Sequence, residues 1–265
     1  MVRKLGCVLY SLSSKISVLL LAAGDGARWR NFMKVPKFMV PIDGVPLVEN
    51  TIARLRKLGV QSIELLVRRD DLTAVMQNAV AIDPNPTNSD ADKFLSSRDL
   101  WNADGQTVLA FADVYYSDCA LNEMLVCVPN TIRFLGRNRE SSFTGCDHGE
   151  IFAVSFTSEN HNELDQVLRT FGTGQSRPSG WQLYRKFLAT AALPGKPNVS
   201  FVHIDDFTED FDLPRDYKNW LARWQDKANA FVAKRRVKEH RNLIFGAILG
   251  TVMTLIGVII VNVLY

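Results

Sequence analysis

The sequence predicts a three-layer α/β/α sandwich around a mostly parallel, mixed β-sheet. Short apolar runs bounded by glycine indicate buried strands, and segments with helical spacing lie between them. The composition is that of an ordinary globular protein, with 47% hydrophobic and 22% charged residues. A chain of 265 residues is long enough for one large domain of this class. The net charge of +3 is too small to indicate a nucleic-acid partner.

The first elements form a strand–loop–helix–strand unit. Residues 16–22 are a continuous apolar run, which predicts a fully buried strand. Residues 46–58 have apolar side chains at helical spacing, with Pro46 near the start and Gly59 just after the end. Residues 62–67 predict the next strand, and this order of elements is typical of a parallel sheet.

The remaining elements follow from the same patterns. Turn-forming residues at 83–90 and a glycine-rich segment at 172–180 predict loops. Further strands are predicted at 107–112, 132–135, 151–156 and 199–204, and helices at 162–171, at 181–192 and from 216 onward.

The C-terminal residues predict a membrane anchor. Residues 243–265 contain no charged residue, and about 20 apolar residues span the hydrocarbon core of a bilayer. The basic segment 234–241 precedes them, which predicts a single-pass protein whose large N-terminal part faces the cytoplasm. Gly246 and Gly250 form one G-x-x-x-G pair, which favours a homodimer through the span unless it reflects only the ordinary glycine content of membrane helices.

We therefore divide the chain into four predicted segments. Residues 1–15 are expected to be a disordered leader, because their apolar stretch is short and no signal-peptide cleavage site follows it. Residues 16–220 are the globular domain, residues 221–242 a basic helical stalk and residues 243–265 the transmembrane helix.

Cysteines and histidines contribute no functional signal in this interpretation. The four cysteines show neither C-x-x-C spacing nor a neighbouring histidine suited to zinc, so reduced thiols are expected. The histidines show no metal or triad spacing, and a serine-hydrolase G-x-S-x-G motif is missing from the sequence.

The segment LAAGDGARWR (residues 21–30) leaves the first strand with little side-chain bulk. Small residues allow backbone N–H groups to approach an anion such as a phosphate. Trp29 stands where both the dinucleotide-binding loop and the Walker A loop need a glycine, so both are excluded. Arg28 and Lys37 are the cations expected to neutralise the phosphates, whereas Arg30 and Lys34 could equally be solvated.

The segment L-A-A-G-x-G-x-R, the pair Pro36–Lys37 and the segment PIDGVPLV (residues 41–48) together resemble the sugar-phosphate pyrophosphorylase-like nucleotidyltransferase family. The resemblance covers residues 16–58 and implies a Rossmann-like nucleotidyltransferase fold. It implies catalytic roles for Arg28 and Lys37 on the departing pyrophosphate. It also implies that a nucleoside triphosphate is bound by Leu21, Ala22, Ala23, Gly24, Gly26, Arg28 and Lys37.

Nucleotidyl transfer needs a divalent metal, normally Mg²⁺, held by a few carboxylates. Asp113 follows the strand 107–112, where the resembled family has a metal-binding aspartate, often after a glycine that is Ala112 here. Asp212 is the second predicted ligand, since D-L-P-R-D (residues 212–216) is similar to the D-x-P-x-D element of that family, in which the last aspartate caps a helix. Asp210 is the alternative, because alternate residues of an extended chain face the same side.

Other acidic and basic residues receive weaker assignments. Asp25 is expected at the surface, because a carboxylate would repel a bound phosphate, and Asp118 is expected to cap a helix or form a turn. Arg137 and the loop 172–180 could contact the acceptor, although solvation explains both equally well.

The resemblance implies a membrane-anchored, Mg²⁺-dependent nucleotidyltransferase. Its partners would be a nucleoside triphosphate and a sugar phosphate or alcohol phosphate, with pyrophosphate released. A nucleotide-sugar-dependent glycosyltransferase is the first alternative, although Asp113-Val114-Tyr115 lacks the second aspartate of a D-x-D motif. A non-catalytic membrane-tethered scaffold is the second alternative.

Overall fold

The computed structural model describes residues 16–24, 26–68, 79–82, 89–171, 178–224 and 226. The chain divides into two compact units, Met1–Trp220 and Leu221–Tyr265. The sheet, its helices and the candidate site all belong to the first unit.

The strands and helices alternate along the first unit. In chain order the strands are β1 (Ile16–Ala22), β2 (Pro41–Ile42), β3 (Val45–Pro46), β4 (Ser62–Arg68), β5 (Ala79–Ile82), β6 (Gln106–Phe111), β7 (Val114–Tyr115), β8 (Thr131–Arg137), β9 (Glu150–Thr157), β10 (Asn198–His203) and β11 (Glu209–Asp210). The helices are α1 (Leu47–Lys57), α2 (Asp90–Ser96), α3 (Asp118–Met124), α4 (His161–Arg169) and α5 (Gly180–Ala191), and residues 214–220 are also helical.

Seven strands form the central sheet, in the order β10-β8-β9-β6-β1-β4-β5. Strand β9 runs antiparallel to both of its neighbours, and every other pair in this sheet is parallel. The α/β class and the mixed, mostly parallel sheet are therefore confirmed.

Two hydrophobic cores flank the sheet. Val18 and Leu20 of β1 face the core that includes side chains of α1 and α3. Leu19 and Leu21 point the opposite way, into the core formed with α2, α4 and α5. Successive side chains of a strand alternate between its faces, so burying all of them requires helices on both sides. The result is the predicted sandwich of three layers.

The strongest sequence patterns match elements of the structure closely. The predicted strand 16–22 coincides with β1, and the helix predicted over 46–58 corresponds to α1. Sequence analysis did not predict α2, α3, β5 or the short strand pairs β2–β3 and β7–β11. Helix α2 begins directly after the predicted loop, with Ser89 as its N-cap in a capping box with Asp92.

Several predictions fall on residues outside the described part of the chain. They concern the leader, most of the stalk, the basic segment 234–241, the span 243–265, Asp25 and most of both predicted loops. Among the residues that the structure does describe, none belongs to a helix with the length and apolar character needed to cross a bilayer. The division into four segments stays a prediction.

The direction of β9 determines which residues meet at one edge of the sheet. Because β9 runs against β6 and β8, its first residue, Glu150, lies at the edge where those strands end. Glu150 is opposite Arg137, next to an irregularity between Leu135 and Gly136. At Gly136 the backbone of β9 approaches so closely that an added Cβ would lie 2.2 Å from the Glu150 carbonyl oxygen.

We predict that Gly136→Ala destabilises the domain, because its methyl group would force β8 and β9 apart. Overpacking of this kind costs about 1–3 kcal/mol or more, which lowers the melting temperature by several degrees, since 1 kcal/mol is worth about 2–4 °C at this size. The measurement is thermal unfolding of the full chain. Gly24→Ala is the matched control, because a Cβ at Gly24 would have no neighbour within 4 Å. Equal melting temperatures for the two variants would contradict the close approach.

Candidate active site

The loop that follows β1 is anchored by Trp29. This side chain is only 2% exposed, and its indole Nε1–H donates a hydrogen bond to the Val35 carbonyl oxygen at 3.0 Å. The Trp29 amide also donates to the Gly26 carbonyl oxygen at 2.9 Å, and Gly26 has a φ of +60°, which glycine adopts without strain. The buried Trp29 side chain therefore anchors this loop. The dinucleotide-binding loop and the Walker A loop have a glycine at that position instead.

The predicted nucleotide-binding residues divide into two groups. The side chains of Leu21 and Ala23 are buried in the hydrophobic core, and the Leu21 carbonyl oxygen accepts a hydrogen bond from the Ala112 amide at 3.0 Å. These residues hold β1 against β6 and offer no side chain to a ligand. Gly24 and Gly26 have open space where a Cβ would lie, so a ligand could approach the backbone there.

Three carboxylates meet beyond the end of β6. Asp113 lies two residues after that strand, and Asp210 is brought close to it by β11, which pairs antiparallel with β7. The Phe211 amide then donates to the Asp113 carbonyl oxygen at 3.2 Å. Carboxylate oxygens of Asp113, Asp210 and Asp212 lie within 4.8 Å of one another. The structure thus brings the two predicted ligands together and adds the alternative one.

Lys37 and Arg28 are the cations of this cluster. The Lys37 ammonium lies 2.5 Å from Asp113 Oδ2 and 3.1 Å from Asp212 Oδ1. An Arg28 guanidinium nitrogen lies 2.5 Å from Asp212 Oδ2, although most of the Arg28 side chain is exposed. Both predicted catalytic residues therefore contact the predicted metal ligands.

Burial and mutual charge shift the protonation of the cluster. Burial alone would lower the pKa of Lys37, but the adjacent carboxylates of Asp113, Asp210 and Asp212 raise that pKa well above its usual range. Burial likewise opposes ionisation of Asp113, yet Lys37 holds its pKa below the usual value. Asp210 has no such contact, and burial together with the charges of Asp113 and Asp212 raises its pKa well above normal. This carboxyl group retains its proton most readily of the three.

The cluster fits a hard divalent cation such as Mg²⁺. The Asp210 Oδ1 atom is buried and has no hydrogen-bond partner among the described residues. A buried carboxylate oxygen without a partner is costly, and a cation shared with its two neighbours would offset that cost. Oxygen donors from a few carboxylates are the ligands that Mg²⁺ prefers.

Two further charged groups near the cluster were missed in the sequence. Lys93 of α2 lies 3.0 Å from Asp90 Oδ1 and helps to lower the pKa of Asp113. Glu150 at the start of β9 has a pKa of about 7, because burial raises it and the charge of Asp212 adds to the effect. A search of the residues that follow predicted parallel strands would have found neither residue. Lys93 lies on a helix that was not predicted, and Glu150 begins the antiparallel strand β9.

Arg137 is not the solvated side chain that one of its two expectations described. It is 5% exposed, and its Nη1 atom lies 2.7 Å from Glu209 Oε1, which is also buried. The Ser141 hydroxyl donates to the same carboxylate, and the Arg137 Nε–H donates to the Arg139 carbonyl oxygen at 2.9 Å. The ion pair fixes Glu209 and thereby the strand that carries Asp210.

Asp216 and Asp118, two aspartates outside the three-carboxylate cluster, have structural contacts. The Asp216 carboxylate accepts a hydrogen bond from the Leu213 amide at 2.7 Å, as a helix-capping residue does. Asp118 is the first residue of α3, but the cap itself is Ser117, whose hydroxyl accepts from the Ala120 amide. The Asp118 carboxylate pairs with Arg54 at 2.7 Å and lies apart from the three-carboxylate cluster.

Residues 18–96, which include the loop, Lys37 and α2, match the family model of the MobA-like NTP transferase domain. These residues make up a little under a third of this chain, and they are similar to the nucleotidyltransferase family of enzymes. Over 58 residues it is 40% identical to the bifunctional protein GlmU of Clavibacter sepedonicus. That match covers 22% of this chain and only 11% of the curated relative.

Solved structures of nucleotidyltransferases share the fold. The CTP:phosphocholine cytidylyltransferase of Streptococcus pneumoniae matches with a TM-score of 0.56 at 14% identity, covering 79% of this chain and 99% of that one. The inositol-1-phosphate CTP transferase of T. maritima gives 0.56 at 16% identity, covering 79% and 95%. The manganese complex of Rv0371c from Mycobacterium tuberculosis gives 0.52 at 17% identity, covering 79% and 100%. At these identities the likeness establishes the nucleotidyltransferase fold.

We predict that Glu209→Ala strongly destabilises the domain, because it leaves the Arg137 charge buried without its partner. Breaking a buried ion pair costs about 3–5 kcal/mol, and the measurement is chemical denaturation of the full chain. Asp205→Ala is the matched control, since it breaks an exposed pair with Arg139, for which about 0–1 kcal/mol is expected. A loss of similar size in both variants would show that the Arg137–Glu209 pair does not hold β11.

Proposed function

We propose that this nucleotidyltransferase joins a nucleoside triphosphate to a phosphorylated acceptor, with release of pyrophosphate. The observation that carries the proposal is the cluster of Asp113, Asp210 and Asp212 with Lys37, at the sheet edge where the Gly24–Gly26 loop begins. Backbone groups of the loop approach the phosphates, and the acceptor phosphate attacks the α-phosphorus from the side opposite the leaving pyrophosphate.

Mg²⁺ is the cofactor that this site would hold, with Asp113, Asp210 and Asp212 as its protein ligands. When bound, the ion would neutralise charge on the phosphates in the transition state. Two comparisons support a metal requirement. Residues 18–96 match the MobA-like NTP transferase model, and a protein with the same fold has been solved in complex with manganese.

The cations of the chain position and neutralise the reacting groups. Lys37 is fixed between two carboxylates, so its ammonium needs little reorganisation to act on phosphate oxygens as negative charge moves to the leaving group. Arg28 is more exposed and contacts one carboxylate only, so it is free to turn towards the phosphates. Nucleotidyl transfer depends mainly on this positioning and charge stabilisation.

The acceptor is a sugar phosphate or an alcohol phosphate in this proposal. Phosphocholine and inositol 1-phosphate are named for proteins that share the fold, and both are alcohol phosphates. The product would be a nucleotide-activated building block.

A nucleotide-sugar-dependent glycosyltransferase is the alternative. Tyr115, at the position where a D-x-D motif has its second aspartate, is buried, with its ring centroid 4.6 Å from that of Trp220. The third carboxylate of the cluster comes instead from Asp210, on a distant segment. This arrangement and the family match both favour nucleotidyl transfer.

We predict that Lys37→Met and Asp113→Asn each reduce pyrophosphate release on the order of 10²-fold or more, because Lys37 would neutralise charge on the reacting phosphates and Asp113 would hold the metal ion. The assay incubates the full chain with Mg²⁺, each nucleoside triphosphate and a panel of sugar and alcohol phosphates. Lys34→Ala is the matched control, since Lys34 is an exposed cation of the same segment. Consumption of a nucleotide-sugar without pyrophosphate release would favour the glycosyltransferase. If the chain turned over none of the substrates, the non-catalytic scaffold would be favoured.

We further propose that residues 243–265 anchor the enzyme in a membrane, with the catalytic domain in the cytoplasm. Their lack of charge and the preceding basic segment 234–241 support this arrangement. The product would then be used at the membrane, and Gly246 and Gly250 would allow two spans to associate.

We predict that the full chain stays with membranes after alkaline carbonate extraction. A variant with Arg substituted for Leu255 and Val258 is the matched control, because each charge at the centre of a span costs about 2.5–3.5 kcal/mol of insertion free energy. Release of both proteins into the supernatant would contradict the anchor.

A further inference from the structure

A second group of metal-ligating side chains lies outside the three-carboxylate cluster. Cys146, His148 and Glu150 are alternate residues of the segment that leads into β9, and this segment bends at Asp147 and His148. The sequence-based expectation was that no cysteine has a histidine neighbour suited to zinc. It rested on C-x-x-C spacing, whereas here the spacing is C-x-H-x-E.

The donor atoms of these residues form a compact triangle. Cys146 Sγ lies 3.5 Å from His148 Nε2 and 4.0 Å from Glu150 Oε1. His148 Nε2 lies 2.9 Å from Glu150 Oε1. The edges of a tetrahedral zinc site with one sulfur, one nitrogen and one oxygen ligand are about 3.4–3.6 Å, given the usual Zn–ligand bond lengths. Cys146 Sγ is also 3.4 Å from His148 Nδ1, so the sulfur lies beside the imidazole ring, and the exposed His148 ring must turn before Nε2 and Sγ can bind one ion.

Asp147 orients the histidine as a supporting carboxylate does in zinc proteins. Its Oδ1 atom lies 2.9 Å from His148 Nδ1, so the Nδ1–H donates to Asp147 and the Nε2 atom faces Glu150. A proton between Nε2 and the Glu150 carboxylate accounts for their 2.9 Å contact, and a metal ion bound there would displace that proton. A carboxylate on the far nitrogen of a metal-bound histidine is the common arrangement that fixes its tautomer.

We propose that Cys146, His148 and Glu150 form a binding site for Zn²⁺ or a similar transition metal, separate from the Mg²⁺ site. The donor set of thiolate, imidazole and carboxylate favours zinc, whereas the all-oxygen cluster of Asp113, Asp210 and Asp212 favours Mg²⁺. The His148 side chain is 64% exposed, so an ion can reach it from solvent. Three protein ligands leave a fourth position for water or a substrate oxygen. This inference does not depend on the proposed reaction.

The test uses Co²⁺ as a spectroscopic probe for Zn²⁺ on the full chain with Mg²⁺ in excess. We expect one Co²⁺ per chain with a thiolate-to-cobalt charge-transfer band, which Zn²⁺ abolishes by displacement. Cys146→Ser should remove the band, and His148→Ala should weaken Co²⁺ affinity at least tenfold. Asp147→Ala should weaken it by about tenfold, as loss of a supporting carboxylate does.

Cys127→Ser is the matched control, because Cys127 is also a free, exposed cysteine and should leave the band unchanged. A wild-type chain that binds Co²⁺ without the band, or a Cys146→Ser variant that binds as tightly as wild type, would overturn the proposal. Melting temperatures show whether each variant is folded, and His148→Ala keeps the test valid if Cys146→Ser is not. Pyrophosphate release is not needed for any of these readouts, so failure here leaves the nucleotidyl-transfer proposal intact.

Discussion

The contact of the Lys37 ammonium with Asp113 and Asp212 unites three distant parts of the chain at one point. Lys37 follows the β1 loop, Asp113 lies two residues after β6, and Asp212 lies near the end of the first compact unit. Carboxylates packed this closely repel one another, and burial removes the water that would otherwise screen them. The ammonium offsets part of that repulsion, and the Arg137–Glu209 pair beneath it fixes the strand on which Asp210 stands. The same contacts therefore hold this edge of the sheet together and assemble the candidate site.

Sequence patterns predicted the elements that are buried on both faces. Strand β1 is apolar at every position from Val18 to Ala22 and its bounds were predicted correctly, because such a run has few alternatives to a central strand. Helix α2 was missed, since its seven residues include two aspartates and a lysine and bury only a few apolar side chains. Its stability comes from packing and the Ser89 capping box, which are weak signals in isolation. The antiparallel direction of β9 depends on the path of the segments that connect the strands. The periodicity of apolar residues does not reveal that path.

The candidate site was predictable in composition but not in arrangement. The motif around Lys37 and the position of Asp113 after a buried strand were sufficient to identify two of its members. The choice between Asp210 and Asp212 could not be made, because it depends on the pairing of β11 with β7 and on the turn that follows. In the structure both carboxylates join the cluster. Arg137 was misjudged for a related reason, since its partner Glu209 is distant in sequence.

The two proposed metal sites lie at one sheet edge and differ in their donor atoms. Glu150 lies close enough to Asp212 for that charge to help raise its pKa to about 7, so the two clusters share one field of negative charge. Such a field attracts any divalent cation and does not discriminate between them. Discrimination must come from the donor atoms, because sulfur and imidazole nitrogen bind zinc far better than Mg²⁺, whereas carboxylates alone suit Mg²⁺. A cation on Cys146, His148 and Glu150 would also neutralise Glu150, and would thereby reduce the repulsion that Asp212 experiences beside Lys37.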